Sequence, residues 1–262
     1  MEILSLKNIS FSSQNNSIVR NVTIELEEGK TTALIGPSGS GKSTLLKLSA
    51  GLIIPTEGDV YYRGRNIAHM NRAQNLEFRR ESAFIFQDSA LWANQSLLQI
   101  LELPLKIHFP EMSDSKRRQR INEVMDIVGY KRNLSIRPAS LSMGEQKLIA
   151  FGRAMLCSPT LLFLDEWTES LDDYSANRLV TLVKQQKINN NTIIFVGHNL
   201  GIIEDLADHV ILIVGGQIHT SMTREQFERD KSLSELLKMS ITEKDLEKDS
   251  NEKDKKRKGN KR

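Results

Sequence analysis

Along roughly the first sixty residues, apolar and polar positions alternate with the two-residue period of strands, through ILSLKNISF, IVRNVTIELEEG and KTTALIG. The last of these runs leads directly into Gly-Pro-Ser-Gly-Ser-Gly and then STLLKLSAGL, where the spacing becomes helical. After Pro55, TEGDVYYRGRNI predicts a second pair of strands with Gly-containing turns, so the opening reads as mixed sheet, loop and helix. From about Asp88 to Met155 the pattern is helical. Ile121, Val124, Met125 and Val128 fall at i, i+3, i+4 and i+7, one apolar stripe on a helix that begins with the basic run Lys116, Arg117, Arg118 and Arg120. TLLFLDE, after Pro159, is a nearly continuous apolar run ending in carboxylates, as expected of a parallel strand covered on both faces. A helix near residues 175–186, a strand in NTIIFVGH, a helix near residues 200–207 and a strand in HVILIVGG follow. Strands alternating with helices predict a parallel α/β core, and the central helical block is an insertion into it.

The resulting division is a core of residues 1–87 and 156–220 with an N-terminal antiparallel β region, a helical insertion at 88–155, and a C-terminal helical segment at 221–242 built on REQFERDKSLSELLKM. Residues 243–262 form a charged tail. That tail holds nine Lys/Arg and six Asp/Glu, so the formal charge of +3 resides there and the preceding 242 residues are neutral. With one leucine and no other large apolar side chain, the tail has nothing to bury and is expected to be disordered and solubilising. The lone Cys157, in AMLCSP, excludes a disulfide framework and reads as a small core residue. No run reaches the roughly 18 apolar residues of a membrane span, and MEILSLKNISFSS reads as a strand rather than a signal peptide. The expectation is a protein that stays inside the cell.

Chemistry enters at residues 36–43, GPSGSGKS, which satisfy G-x-x-x-x-G-K-[ST] between a predicted strand and a predicted helix. Glycines let backbone N–H groups wrap phosphates, the helix N-terminus favours anions, Lys42 reaches the terminal phosphates, and the Ser43 hydroxyl ligates Mg²⁺. ATP-binding candidates are therefore Gly36, Pro37, Ser38, Gly39, Ser40, Gly41, Lys42, Ser43 and Thr44. At the end of TLLFLDE, Asp165 is placed to hold Mg²⁺ and Glu166 to orient the attacking water.

Between these elements lies LSMGEQ, residues 141–146, followed at once by the helical KLIAFGRAML. The phosphate loop, Gln87 in FIFQD, this signature-like run, Asp165-Glu166 and His198 in FVGHN stand in an order and spacing that resemble the ATP-binding-cassette ATPases over about residues 1–220. The resemblance implies a P-loop NTPase core of RecA-like type, ATP and Mg²⁺ as ligands, and hydrolysis coupled to transport. It assigns Phe11 to stacking on adenine and Gln87 to Mg²⁺ and the attacking water. It assigns Glu166 as catalytic base and His198 as a γ-phosphate contact. Leu141, Ser142, Met143, Gly144, Glu145 and Gln146 then face ATP held by a second subunit, and Ser170, Leu171 and Asp172 lie in a loop at that interface. One chain cannot complete its own site, so the implied partners are a second copy, head to tail, and an integral-membrane permease docked on the helical insertion. No specific nucleic acid is expected, and the implied location is the cytoplasmic face of the inner membrane.

The sequence departs from that pattern at Met143, where the signature usually has glycine, at Glu145, a common variant, at Trp167-Thr168-Glu169-Ser170 after Asp165-Glu166, and at Gly197 and Asn199 around His198. None removes a phosphate or metal ligand, so hydrolysis is expected to survive. After Gln87, DSALWANQSLLQILELPLKIH looks like the corresponding region of Mla-type phospholipid transport ATPases, with Ala90, Leu91, Trp92, Pro104 and Leu105 in matching places. That likeness implies phospholipid cargo and an MCE-domain lipid-binding partner. The alternatives are an ATPase of a lipoprotein-release, cell-division or efflux system, a soluble ATPase acting on nucleic acid or ribosomes, and a non-hydrolysing regulator. A single phosphate loop and the short spacing from Ser43 to Leu141 argue against the soluble class.

Overall fold

A computed structural model describes residues 1–14, 16–169 and 171–229. In chain order these form β1 (Glu2–Ser13), β2 (Asn16–Glu27), β3 (Thr31–Ile35), α1 (Lys42–Ser49), β4 (Glu57–Tyr62), β5 (Arg65–Asn66), α2 (Arg72–Glu81) and β6 (Ser82–Ile85). Three helices come next: α3 (Leu97–His108), α4 (Asp114–Val128) and α5 (Met143–Met155). Then follow β7 (Leu161–Asp165), α6 (Asp173–Ile188), β8 (Thr192–Val196), α7 (Leu200–Leu206), β9 (His209–Val214), β10 (Gln217–Thr223) and α8 (Arg224–Arg229).

The strands make two sheets. An antiparallel sheet has the order β2-β1-β4-β5, and a larger one has the order β10-β9-β3-β8-β7-β6. In the larger sheet all neighbours run parallel except β10, which returns antiparallel to β9. The opening runs therefore divide between the two sheets. β3, buried at every position, pairs with β8 and β9, whereas β2 alternates buried and exposed positions over most of its length and pairs with β1. A strand without a polar face has to lie between two apolar layers, which draws β3 into the larger sheet.

Those layers follow the pleat. Leu34, Phe163, Ile194 and Val196 point toward α1 and the antiparallel sheet, and Ala33, Ile35, Leu164 and Phe195 point toward the helices on the opposite face. The inserted helices have no separate core. Leu97, Leu101, Ile121, Val124 and Val128 belong to the same apolar cluster as Ile35, Leu164 and Phe195. Helix starts are set by side chains that satisfy first-turn N–H groups: Ser96 with Gln99 caps α3, Ser113 caps α4, and Ser142 with Glu145 caps α5. Pro104 lies inside α3, which continues through it to His108.

Three elements were not anticipated. Helix α2 buries only Phe78 and so has no apolar stripe, β6 has four residues, and β10 is a polar edge strand. The expected helical segment at 221–242 is corrected at its start, because β10 runs to Thr223 before α8 begins; residues 230–242 and the tail at 243–262 lie outside the described residues. Cys157 is half-buried rather than fully enclosed, and burial pushes its thiol up to about 11, so it stays protonated near neutral pH. No helix among the described residues is long and apolar enough to cross a membrane.

Because the insertion shares the core, a void in it should be felt globally. Leu101→Ala is expected to lower stability by about 2–5 kcal/mol in urea unfolding. A loss below about 1 kcal/mol would show that the insertion does not support the core.

Candidate functional site

The parallel strands β3, β8 and β7 are neighbours, so their C-terminal ends reach one edge of the sheet, where Val196 stands in register with both Leu34 and Asp165. The loop after β3, Asp165 and Glu166 at the end of β7, and His198 just beyond β8 meet there. Such an edge is where open α/β sheets place their ligands.

The loop is shaped by its glycines. At Gly36, with φ +143°, an added Cβ would stand 2.0 Å from the Ile213 carbonyl oxygen; at Gly41, with φ +94°, it would stand 2.6 Å from that of Ile18. No larger residue fits either position without moving backbone. Lys42 is buried and donates from Nζ to the carbonyl oxygens of Gly36 (2.9 Å) and Pro37 (2.7 Å), so the loop closes around its own lysine. No side chain caps α1 at Gly41, and the buried Ser40 hydroxyl has no hydrogen-bond partner. A positive side chain, an orphaned donor and an uncapped helix start make a cradle that fits an anionic phosphate chain.

Ser43 Oγ donates to Asp165 Oδ1 at 2.7 Å, and Lys47 Nζ lies 4.0 Å from Asp165 Oδ2. Asp165 is 3% exposed, and burial pushes its carboxyl above the usual carboxylate range against the opposing pull of Ser43, Lys47 and Lys42. One hydroxyl and one carboxylate are hard oxygen donors that fit Mg²⁺, which takes few protein ligands and completes its shell with phosphate and water. The described residues hold no cluster of three or more His, Cys, Asp or Glu suited to a metal. Glu166 adopts φ +43°, its N–H donates to Val196 O at 3.1 Å, and its Oε1 lies 3.2 Å from His198 Nε2. His198 Nδ1 is buried without a partner.

Gln87 does not join the Ser43–Asp165 pair. Its Nε2 donates to Glu169 Oε2 at 2.5 Å. The loop after it is held by Arg153, which donates to the carbonyls of Ser89 and Ala90. Phe11 stands on β1 opposite Val19, half-buried against the antiparallel sheet; neighbouring Ile18 is the residue that borders Gly41. Thr44 follows Ser43 in the first turn of α1, and Pro37, Ser38 and Gly39 complete the loop.

The run at 141–146 makes its contacts elsewhere. Ser142 accepts from the Glu145 N–H, and the Glu145 carboxylate accepts from the Ser142 N–H and from Arg132 at 2.8 Å, which holds that carboxyl below its usual range. Leu141 is buried, Gln146 donates to its carbonyl, and Met143 is exposed beside Ser142. A Cβ on Gly144 would lie 3.1 Å from Ser175 Oγ, so the start of α5 abuts the start of α6, which Asp172 caps by accepting from Ser175. Leu171 packs on the core, and Ser170 lies outside the described residues. Sequence reading passed over Lys147, whose Nζ donates to the Glu166 carbonyl at 3.1 Å, and Glu169. The available signal was a lone lysine in the apolar stretch QKLIAF.

The sequence profile of a family described as ABC transporter matches residues 19–169. The nickel import ATP-binding protein NikE of Shigella flexneri is 34% identical over 209 residues, 78% of either chain. An uncharacterised ABC transporter ATP-binding protein, MJ1508 of Methanocaldococcus jannaschii, is 36% identical over 201 residues, 76% of this chain and 88% of that one. Among solved structures, the ATP-binding cassette MJ0796, as a post-hydrolysis dimer bound to ADP and Pi, superposes with a TM-score of 0.78 at 26% identity, covering 85% of this chain and 99% of that one.

The raised Asp165 carboxyl has a consequence for stability. Folding favours its protonated form, an advantage present below the ordinary carboxylate pKa and lost as pH rises through the raised value, so at neutral pH the buried charge destabilises the ligand-free protein. Asp165→Asn is therefore expected to unfold at a higher temperature than wild type without nucleotide at pH 7, while losing Mg²⁺-dependent hydrolysis. A lower melting temperature would show that the charge is fully compensated by its neighbours.

Proposed function

The chain belongs to the ABC transporter family and is the ATP-binding subunit of a transporter, an ATPase coupled to transport; we propose that two copies close head to tail on two ATP molecules and drive a separate permease. The observation that carries this reading is the convergence of the phosphate loop, the Ser43–Asp165 pair and the Glu166–His198 pair at one sheet edge. Lys42 exchanges its loop carbonyls for phosphate oxygens, and the uncapped start of α1 adds its dipole. Ser43 and Asp165 hold Mg²⁺, which when bound neutralises charge on the phosphates. Glu166 orients the water and accepts its proton, and His198 holds the Glu166 carboxylate and meets the terminal phosphate. Phe11 supports the adenine.

Head-to-tail pairing gives the exposed Met143 and the capped Ser142–Gly144 turn a partner surface, with Leu171 and Asp172 beside the second site. Gln87 leaves Glu169 on closure and reports nucleotide to the permease seated on the insertion at 88–155, with the assembly at the cytoplasmic face of the membrane. The core at 1–87 and 156–220 does the chemistry, and no specific nucleic acid takes part.

Cargo belongs to the partner chains. The segment with Ala90, Leu91, Trp92, Pro104 and Leu105 supports phospholipid movement with an MCE-domain protein, although Leu105 is fully buried and Leu91 packs on the core, which leaves exposed Trp92 as its surface feature. Relatives named for nickel import support a metal-ion cargo instead.

Glu166→Gln is expected to lower ATP turnover by about a hundredfold or more, keep ATP affinity within a few-fold, and elute as a dimer with ATP. Turnover equal to wild type would remove Glu166 from its assigned role. The same variant, captured from solubilised native membranes with ATP and Mg²⁺, identifies the transporter. A permease with an MCE-domain protein and bound phospholipid establishes the lipid reading; a permease complex that loads Ni²⁺ replaces it.

A further inference from the structure

Lys147 is a lysine with 2% exposure that the mechanism above does not use. It sits on α5 one turn beyond the Ser142–Gly144 start, and its Nζ donates to the Glu166 carbonyl oxygen at 3.1 Å. Glu166 occupies the left-handed region at φ +43°, which a side-chain-bearing residue keeps only when its surroundings hold it. Several contacts do so: its N–H on Val196 of β8, its carboxylate on His198 in the loop after β8, and its carbonyl on both the Glu169 N–H at 3.1 Å and Lys147 of α5.

A methionine of similar volume fills such a place without the cost of burying an ammonium, so packing alone does not account for a lysine. The charged form is opposed by burial and supported by Glu169, Glu166 and Asp165. Lys147 is thus held at the carboxylate end of the site while its helix begins at the signature.

We propose that Lys147 is a positioning residue for hydrolysis: by holding the Glu166 main chain it couples the placement of the signature end of α5 to the aim of the Glu166 carboxylate. The proposal rests on Glu166 being the hydrolytic carboxylate. It separates binding from turnover, since the contacts of the phosphate loop do not include Lys147.

The test is steady-state ATPase activity and ATP binding of the full chain, alone and with its captured permease, for wild type, Lys147→Met, Lys147→Arg and Lys147→Gln. Lys147→Met is expected to lower kcat about tenfold with KM and ATP affinity within about twofold, and Lys147→Arg, which keeps charge and donors, to recover most of kcat. A Lys147→Met kcat within about twofold of wild type overturns the proposal, as does a loss of kcat that follows thermal stability and that arginine fails to rescue. Should Lys147→Met not fold, Lys147→Gln decides by the same split, because its shorter, neutral side chain gives up both charge and reach; normal kcat there overturns the proposal. Failure of the Glu166 assignment reads differently, as undiminished turnover in Glu166→Gln.

Discussion

A parallel sheet must be covered on both faces, and in this chain that constraint builds the site. Strands β3, β7 and β8 are buried at every position, and two apolar clusters divide their alternating side chains. Parallel neighbours end at the same edge, so covering the sheet brings three loops together without any attraction among their functional groups. Ser43 meets Asp165 across 122 positions of sequence because β3 and β7 flank β8.

The edge then accumulates charge that the apolar layers would otherwise exclude. Lys42, Lys147 and Asp165 are all buried, and each has polar partners: loop carbonyls for Lys42, the Glu166 carbonyl for Lys147, the Ser43 hydroxyl for Asp165. Leaving a buried charge without its partner costs on the order of 3–5 kcal/mol, whereas replacing the charge itself can be neutral or stabilising, so these contacts offset a cost that the charges themselves impose. Glu166 adds backbone strain of about 1–3 kcal/mol at φ +43°. The core on either side of the sheet supports an edge that is locally unfavourable until phosphate and metal arrive.

Legibility in the sequence follows the same division. Continuous apolar runs announced β7, β8 and β9, a two-residue alternation announced β3, and the glycine spacing at 36–41 announced the loop, because these constraints are local. Helix α2 escaped because one buried residue, Phe78, makes no stripe, and β10 escaped because an edge strand with one apolar neighbour needs little apolar pattern. The division of the opening runs between two sheets is nonlocal, because a strand's partners depend on which layers cover it. Gln87 on Glu169 and Lys147 beneath Glu166 were invisible because the first joins segments on either side of the insertion and the second joins the insertion to the core. The likeness after Gln87 gave an apolar segment a functional meaning, while Leu105 turns out to be core.

The insertion's lack of a core of its own bears on how the site can be driven. Leu97, Leu101, Ile121 and Val124 pack in one cluster with Ile35 and Leu164, so force applied to the insertion is applied to the strands that end at the site. Close-packed interiors transmit such shifts instead of absorbing them. Helix α5 belongs to both parts: its start forms the Ser142–Gly144 turn, Ile149 and Phe151 lie in the shared core, and Lys147, between that turn and Ile149, touches the Glu166 carbonyl. A displacement of the insertion that leaves α5 behind would expose that apolar surface, so the helix and the insertion move together. Lys147 is the contact through which that helix reaches the Glu166 backbone.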